Sequence, residues 1–254
     1  MSTTTVTPAA TRPSVKASAA RARVIARTEL RLIARSKATL ISATAFPLLF
    51  AAFVIAQAET ARNAAVGMIC MVLAFFALFA IYLTATTTLV TRRQDLFLKR
   101  LRSGETSDGA ILAGVLAAPL VLFLAQVAVV AGVLVALDIP APSRPWWILV
   151  AVVGLVASSL TAATATAALT PNASAAQIST MPFITVVLGS LIAGPLVESR
   201  YLDLTPGGAV VTLVRAAYDL ELAGTPWFAT AGLALWTWVG VDLTRRYFRW
   251  EPRH

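Results

Sequence analysis

Six long apolar stretches divide this chain, and their length constrains the fold more than any other feature of the sequence. A helix rises about 1.5 Å per residue, so roughly 20 apolar residues reach across a hydrocarbon layer about 30 Å thick. Residues 38–58, 64–90, 110–137, 146–169, 175–197 and 226–241 meet that test. Glu59 and Arg62 close the first stretch and Arg92 and Arg93 the second. DIPAPSRP ends the third, Pro171 and Asn172 the fourth, and Asp242, Arg245 and Arg246 the sixth. Hydrophobic residues make up 58% of the chain and charged ones 13%, about half the charged share of soluble domains, so these are not the core segments of an ordinary soluble fold. The expected fold is an all-α integral membrane protein with six transmembrane helices, its spanning domain covering residues 38–245.

The formal net charge of +9 does not point to nucleic acid, because the basic residues lie in blocks between the apolar stretches rather than on one polar surface. Of the 21 Lys and Arg residues, eight precede the first stretch, five lie between the second and third, and four follow the sixth. Arg62, Arg144, Arg200 and Arg215 are left for the other side. Cytoplasmic loops retain Lys and Arg, so both termini are expected in the cytoplasm. A cleaved signal peptide is not expected, since the first apolar run begins only after residue 37 and is long enough to span. Cys70 is the single cysteine and His254 the single histidine, which excludes an internal disulfide, thiol chelation of a metal, His-based triads and most zinc sites. Within the spans the polar exceptions are Gln57, Gln126 and Gln177. The absence of an uncompensated charge there argues against a proton-coupled carrier.

Two segments on the cytoplasmic side carry more than anchoring charge. After a Thr-, Ala-, Ser- and Pro-rich tail (residues 1–19) expected to be disordered, RARVIARTELRLIARSK places Arg23, Arg27, Arg31 and Arg35 four apart. Ile25, Leu30, Leu32 and Ile33 fall around the other side, so residues 20–37 read as an amphipathic helix lying in the membrane surface. Glu29 projects between Ile25 and Ile33 on the apolar arc, where a carboxylate needs a basic or hydroxyl partner from an adjoining element. In TRRQDLFLKRLRSGETSDG, Leu96, Phe97, Leu98 and Leu101 are interleaved with Lys99, Arg100 and Arg102, a pattern suited to a short helix that docks either in a protein groove or against lipid. Beyond the fifth stretch, residues 198–225 form a long external connection with an amphipathic VVTLVRAAYDL, expected to form short helices. The tail from 246 to 254 is expected to be cytoplasmic.

RRQDLFLKRLRSGETSDGAILAG resembles the loop of the membrane-spanning permease subunits of type 2 ABC exporters, the group that contains bacterial drug and antibiotic efflux permeases. ARTELRLIARSKATLISATAFPLLF is similar to that family's amphipathic connecting helix running into a first span with a Phe-Pro pair, here Phe46 and Pro47. AAQISTMPFITVVLGSLIAGPL looks like its fifth span, while the aromatic-proline signature frequent before its sixth span is missing here. The resemblance implies a cytoplasmic coupling helix at about Arg92–Ser103, with Leu96, Phe97, Leu98, Lys99, Arg100, Leu101 and Arg102 gripping a separate ATPase. It also implies a connecting helix with Arg27, Glu29 and Arg31, and an ATP-driven outward movement of an amphiphilic drug, lipid or peptide-like substrate by alternating access. Two permease chains, identical or homologous, would pair with two ATPase subunits that bind ATP and Mg, in a bacterial cytoplasmic membrane. The candidate pathway lining is then Phe75, Phe76, Phe79 and Tyr82 on the second span with Gln177, Met181 and Phe183 on the fifth. No cofactor or metal is expected on this chain, and no enzymatic activity. Its lysines, Lys16, Lys37 and Lys99, follow Val, Ser and Leu, whereas a P-loop requires Gly-Lys-Ser/Thr. The competing expectations are a membrane anchor or sensor subunit that moves no substrate, and a secondary carrier or channel.

Overall fold

Ser36 separates the basic amino-terminal helix from the first apolar one. In the computed structural model, which describes residues 15–57, 62–95, 108–194, 196–197, 199–222 and 224–248, α1 runs Val15–Arg35 and α2 runs Lys37–Gln57. Between them Ser36 leaves the helical region (φ −84°, ψ 103°), and its hydroxyl accepts from the Thr39 N–H to cap α2. The later helices are α3 (Ala65–Gln94 in its apolar part), α4 (Asp108–Ala136), α5 (Trp146–Leu169), α6 (Ala173–Ala193), α7 (Pro206–Ala217) and α8 (Pro226–Tyr247). A 3₁₀ turn, Arg200–Leu204, leads into α7. Among the described residues there is no strand, and five helices, α2 to α6, are long and apolar enough to cross a membrane, as a multi-pass membrane protein requires.

Several boundaries differ from those expected. Helix α1 already includes residues 15–19, which were expected to be disordered; the rest of that tail, residues 1–14, lies outside the described residues. Helix α3 does not stop before its arginines but continues through Arg92 and Arg93 to Gln94, because both find partners inside the fold. Helix α6 ends at Ala193 rather than 197. Helix α8 runs on to Tyr247, past Asp242, Arg245 and Arg246, with Arg246 Nε bonded to Asp242 at 2.9 Å. Its three tryptophans and Asp242 lower its hydropathy, and it is not among the five.

Helix α3 is the centre of the bundle. In its apolar window 72% of residues are buried within the chain, against 17% for α2 and 22% for α4. Helix α8 runs parallel to α5 along its length. Trp147 and Trp227 meet at one end, Leu233 lies against Gly154, Thr161 against Gly240, and the Thr164 and Thr244 hydroxyls bond at 2.8 Å near the other. A β-carbon on Gly154 would come within 2.6 Å of Leu233 and one on Gly240 within 2.7 Å of Thr161, so both glycines are needed for this close approach. Near the Thr164 end, Ile25 of α1 packs with Leu89, Val90, Ile111, Val115 and Ala167, and Phe248 covers the same cluster. The two described ends of the chain therefore share one end of the bundle.

The connection after α6 is not a surface cap. Thr205 caps α7 with Pro206 in its first turn, and nearly every residue of α7 is buried among α3, α5, α6 and α8. Gly207 and Gly208 permit this, since β-carbons there would strike the carbonyl oxygens of Val187 and Leu202. Trp236 turns inward and donates its indole N–H to the Leu204 carbonyl at 2.8 Å.

Two π-helical stretches, Ile41–Ala45 in α2 and Ala77–Leu83 in α3, pack against each other. Pro47 has no N–H for the carbonyl of Ala43 four residues earlier, and Gln126 of α4 supplies the donor, Nε2 to Ala43 O at 2.7 Å. Gln126 is buried, so Gln126→Leu should leave that carbonyl without this donor in an apolar setting and cost about 1–2 kcal/mol. Thermal unfolding in detergent reads the loss, and an unchanged midpoint would show that the bond contributes nothing.

Candidate functional site

Three consecutive residues at the end of α3 hold three other parts of the chain. Successive residues on a helix point about 100° apart, so Arg92, Arg93 and Gln94 fan out from one turn. Arg92 forms a two-pronged pair with Glu29 of α1, Nε to Oε1 and Nη2 to Oε2, both at 3.0 Å. The partner that Glu29 requires on its apolar arc is thus Arg92, and the carboxylate is 2% exposed. Ile25 and Ile33, one turn to either side, are buried with it.

Arg93 points into the bundle and is 1% exposed. Its Nη1 donates to Ala167 O at 2.9 Å and its Nη2 to Thr170 O. Those are carbonyls of the last turn of α5 and its cap, which have no helical N–H to bind and carry the negative end of the helix dipole, so a cation is held there by charge as well as by hydrogen bonds. Gln94 completes the set: its Oε1 accepts from the N–H of Ala173, the first residue of α6, at 3.2 Å. Asn172 caps α6 from the turn itself, through Ala175 N at 2.9 Å. A doubled arginine at the end of an apolar run looks like a stop signal, which is why Arg93 and Gln94 were expected in the coupling segment rather than inside the bundle. The sign available in the sequence was that Thr91–Gln94 continue the helical register without a breaker.

Other expected residues are dispersed. Arg27 and Arg31 lie on the exposed side of α1, together with Leu32, which was expected on the apolar arc and is 40% exposed. Leu96, Phe97, Leu98, Lys99, Arg100, Leu101 and Arg102, the expected coupling segment, lie outside the described residues. Of the expected pathway lining, Phe76, Tyr82 and Phe183 are buried in the core and present no open surface in this conformation. Tyr82 shares a hydrogen bond with the Thr166 hydroxyl at 3.0 Å, donates to Thr180 O at 3.3 Å and packs on Phe183. Phe75 and Phe79 are half-buried in an aromatic row with Phe46 and Phe50 of α2, the Phe50 and Phe75 rings stacking at 3.6 Å. Gln177 and Met181 face outward on α6, on a stripe with Ile178, Thr185 and Ile192. The expected lining therefore splits into buried packing residues and an outward stripe.

Compared with known proteins, the chain matches no family model, no curated protein and no solved structure.

The Glu29–Arg92 pair can be tested by itself. Removing one partner of a largely buried pair strands the other, so Glu29→Ala should cost about 3 kcal/mol, whereas Glu29→Leu with Arg92→Leu should recover most of it. Unfolding in detergent measures both. A double variant as unstable as the single one would show that the pair is not what joins α1 to α3.

Proposed function

We propose that this chain is the membrane-spanning permease subunit of an ATP-driven exporter of the type 2 ABC class, moving an amphiphilic substrate outward. The observation that carries this proposal is the fan of Arg92, Arg93 and Gln94. The residues leading into the 96–107 segment are bonded to α1, to the end of α5 and to the start of α6. A force on that segment would reach four helices at once, which is what a partner motor needs in order to rock a bundle between inward-facing and outward-facing states. The apolar and basic residues from Leu96 to Arg102 are the proposed coupling helix, and α1 is the proposed connecting helix.

The even number of crossings supports the same scheme. Ile25 and Phe248 pack in one cluster, so the chain between them must return to the end from which it left. Helices α2 to α6 make five passes, and α8, 22 residues or about 33 Å long and parallel to α5, the fourth pass, makes the sixth. The end holding α1 and Phe248 is then cytoplasmic by its basic residues, and the tryptophan-rich end external. Six spans are half of such an exporter, so a second permease chain and two ATPase subunits, which bind ATP and Mg, complete it.

Reversing Arg100 and Arg102 to Glu should release a co-purifying ATPase while leaving the chain in the membrane, with nucleotide-dependent transport in proteoliposomes lost. Unchanged pull-down would remove the docking role. Transport that follows an ion gradient and ignores nucleotide would identify a carrier, and nucleotide binding with no transport at all would identify an anchor.

A further inference from the structure

At the end of the bundle away from α1, an apolar groove of about 860 Å³ opens between α2, α3 and the last turn of α6. Phe50 and Phe53 form one wall, Met71 and Gly67 another, and Ile192 and Leu196 a third. Arg215 of α7 stands at its head. The same arginine lines an adjoining cavity of about 240 Å³ that is mostly polar, together with Ser199, Asp203 and Thr212. One guanidinium thus stands where a compartment for an apolar body meets a compartment for a polar one.

Arg215 is half-buried, and no carboxylate among the described residues pairs with its guanidinium. Its Nε donates to Glu221 O at 2.8 Å, while its Nη atoms have no hydrogen-bond or ion-pair partner among the described residues. Two acids line the cavity, Asp203 and the exposed Glu221, and neither carboxylate pairs with Arg215: Thr212 donates to Asp203 Oδ1 at 2.5 Å, Asp203 Oδ2 is sealed from solvent where Gly224 packs against it, and Glu221 meets Arg215 through its backbone carbonyl. Burial pushes the Asp203 carboxyl up from the ordinary carboxylate range, with the Thr212 hydroxyl acting against that. Of the other basic residues described near this end, Arg144 is already paired with Asp219 at 3.0 Å, and Arg200 is exposed, with its guanidinium over the Tyr201 ring and outside the lining of both compartments. Arg215 is therefore the cation that lines both compartments and has donors to spare, and those donors suit the oxygens of a phosphate or carboxylate.

We infer that the groove and the polar cavity together form a binding site for an anionic amphiphile, its apolar tail between α2, α3 and α6 and its acidic headgroup on Arg215. The headgroup's remaining polar atoms meet the Ser199 and Thr212 hydroxyls. In giving the cargo of the proposed exporter a sign of charge, this rests on that proposal; the binding itself does not, and it is measurable on the chain without any ATPase.

The test uses the full chain in detergent, with radiolabelled phosphatidylglycerol and diacylglycerol as probes and inorganic phosphate as competitor. The wild-type chain should retain phosphatidylglycerol at least about tenfold better than diacylglycerol, the size of one charge-assisted contact. Arg215→Gln should bring the two lipids to within about twofold, while Arg215→Lys keeps most of the preference. Gly67→Phe adds a ring at a groove-lining position where a β-carbon has no neighbour within 4 Å, and it should weaken retention of both lipids. Equal retention of both lipids by the wild-type chain would overturn the site. So would loss of the preference in Arg215→Lys as complete as in Arg215→Gln, which would mark Arg215 as structural. Displacement of phosphatidylglycerol by millimolar phosphate, or a Gly67→Phe chain that retains both lipids normally, would remove the groove from the site.

Discussion

The guanidinium of Arg93, 1% exposed, ends on the carbonyl oxygens of Ala167 and Thr170, and the positions of several other elements follow from that contact. A cation so far from water is tolerable only where fixed oxygens replace its hydration, and the unsatisfied end of α5 provides them. With Arg93 anchored there, the helical register turns Arg92 toward α1 and Gln94 toward α6. Glu29 then has its partner, and the first N–H of α6 its acceptor. The same requirement operates deeper in the bundle, where Pro47 leaves the Ala43 carbonyl in need of a donor and Gln126 reaches across from α4. Glu29, Arg92, Arg93, Gln94 and Gln126 each bond a neighbouring helix in this way.

The sequence made the apolar helices, the amphipathic α1 and the need of Glu29 for a partner legible, because each depends on local periodicity. It did not show which faces pack. Helices α3 and α4 are almost equally apolar, yet one is the buried centre and the other largely faces outward. In a bilayer, lipid tails are as apolar as leucine, so hydropathy does not separate the two environments. For that reason Phe76, Tyr82 and Phe183, which were expected along a pathway, are core residues. The burial of α7 was hidden for a different cause: its amphipathic pattern suggested a surface, while the close approach that buries it depends on the backbone at Gly207 and Gly208. Arg93 and Gln94 were obscured because a charged end to an apolar run is the ordinary sign of a membrane boundary.

The two ends of the bundle have different characters. At the end that holds α1, charged and amide side chains join helices through defined hydrogen bonds, and the basic segment proposed to meet a motor begins there. At the opposite end, a tryptophan cluster joins α5 and α8, and a buried short helix presents an arginine with free donors to an apolar groove. Helix α3 runs the length between them and is the most buried of the five apolar helices. In the proposed exporter it is the element through which an event at one end would be felt at the other.

That claim depends on the end of α3 holding α1 and the start of α6 in a fixed relation. Nitroxide labels at Ala34→Cys and Ser174→Cys, both exposed positions, in a Cys70→Ala chain would measure the distance between them by electron–electron resonance. A single narrow distribution is predicted for this chain, and a broad one once Arg92 and Arg93 are both replaced by Gln. The same narrow distribution with and without the two arginines would contradict the account.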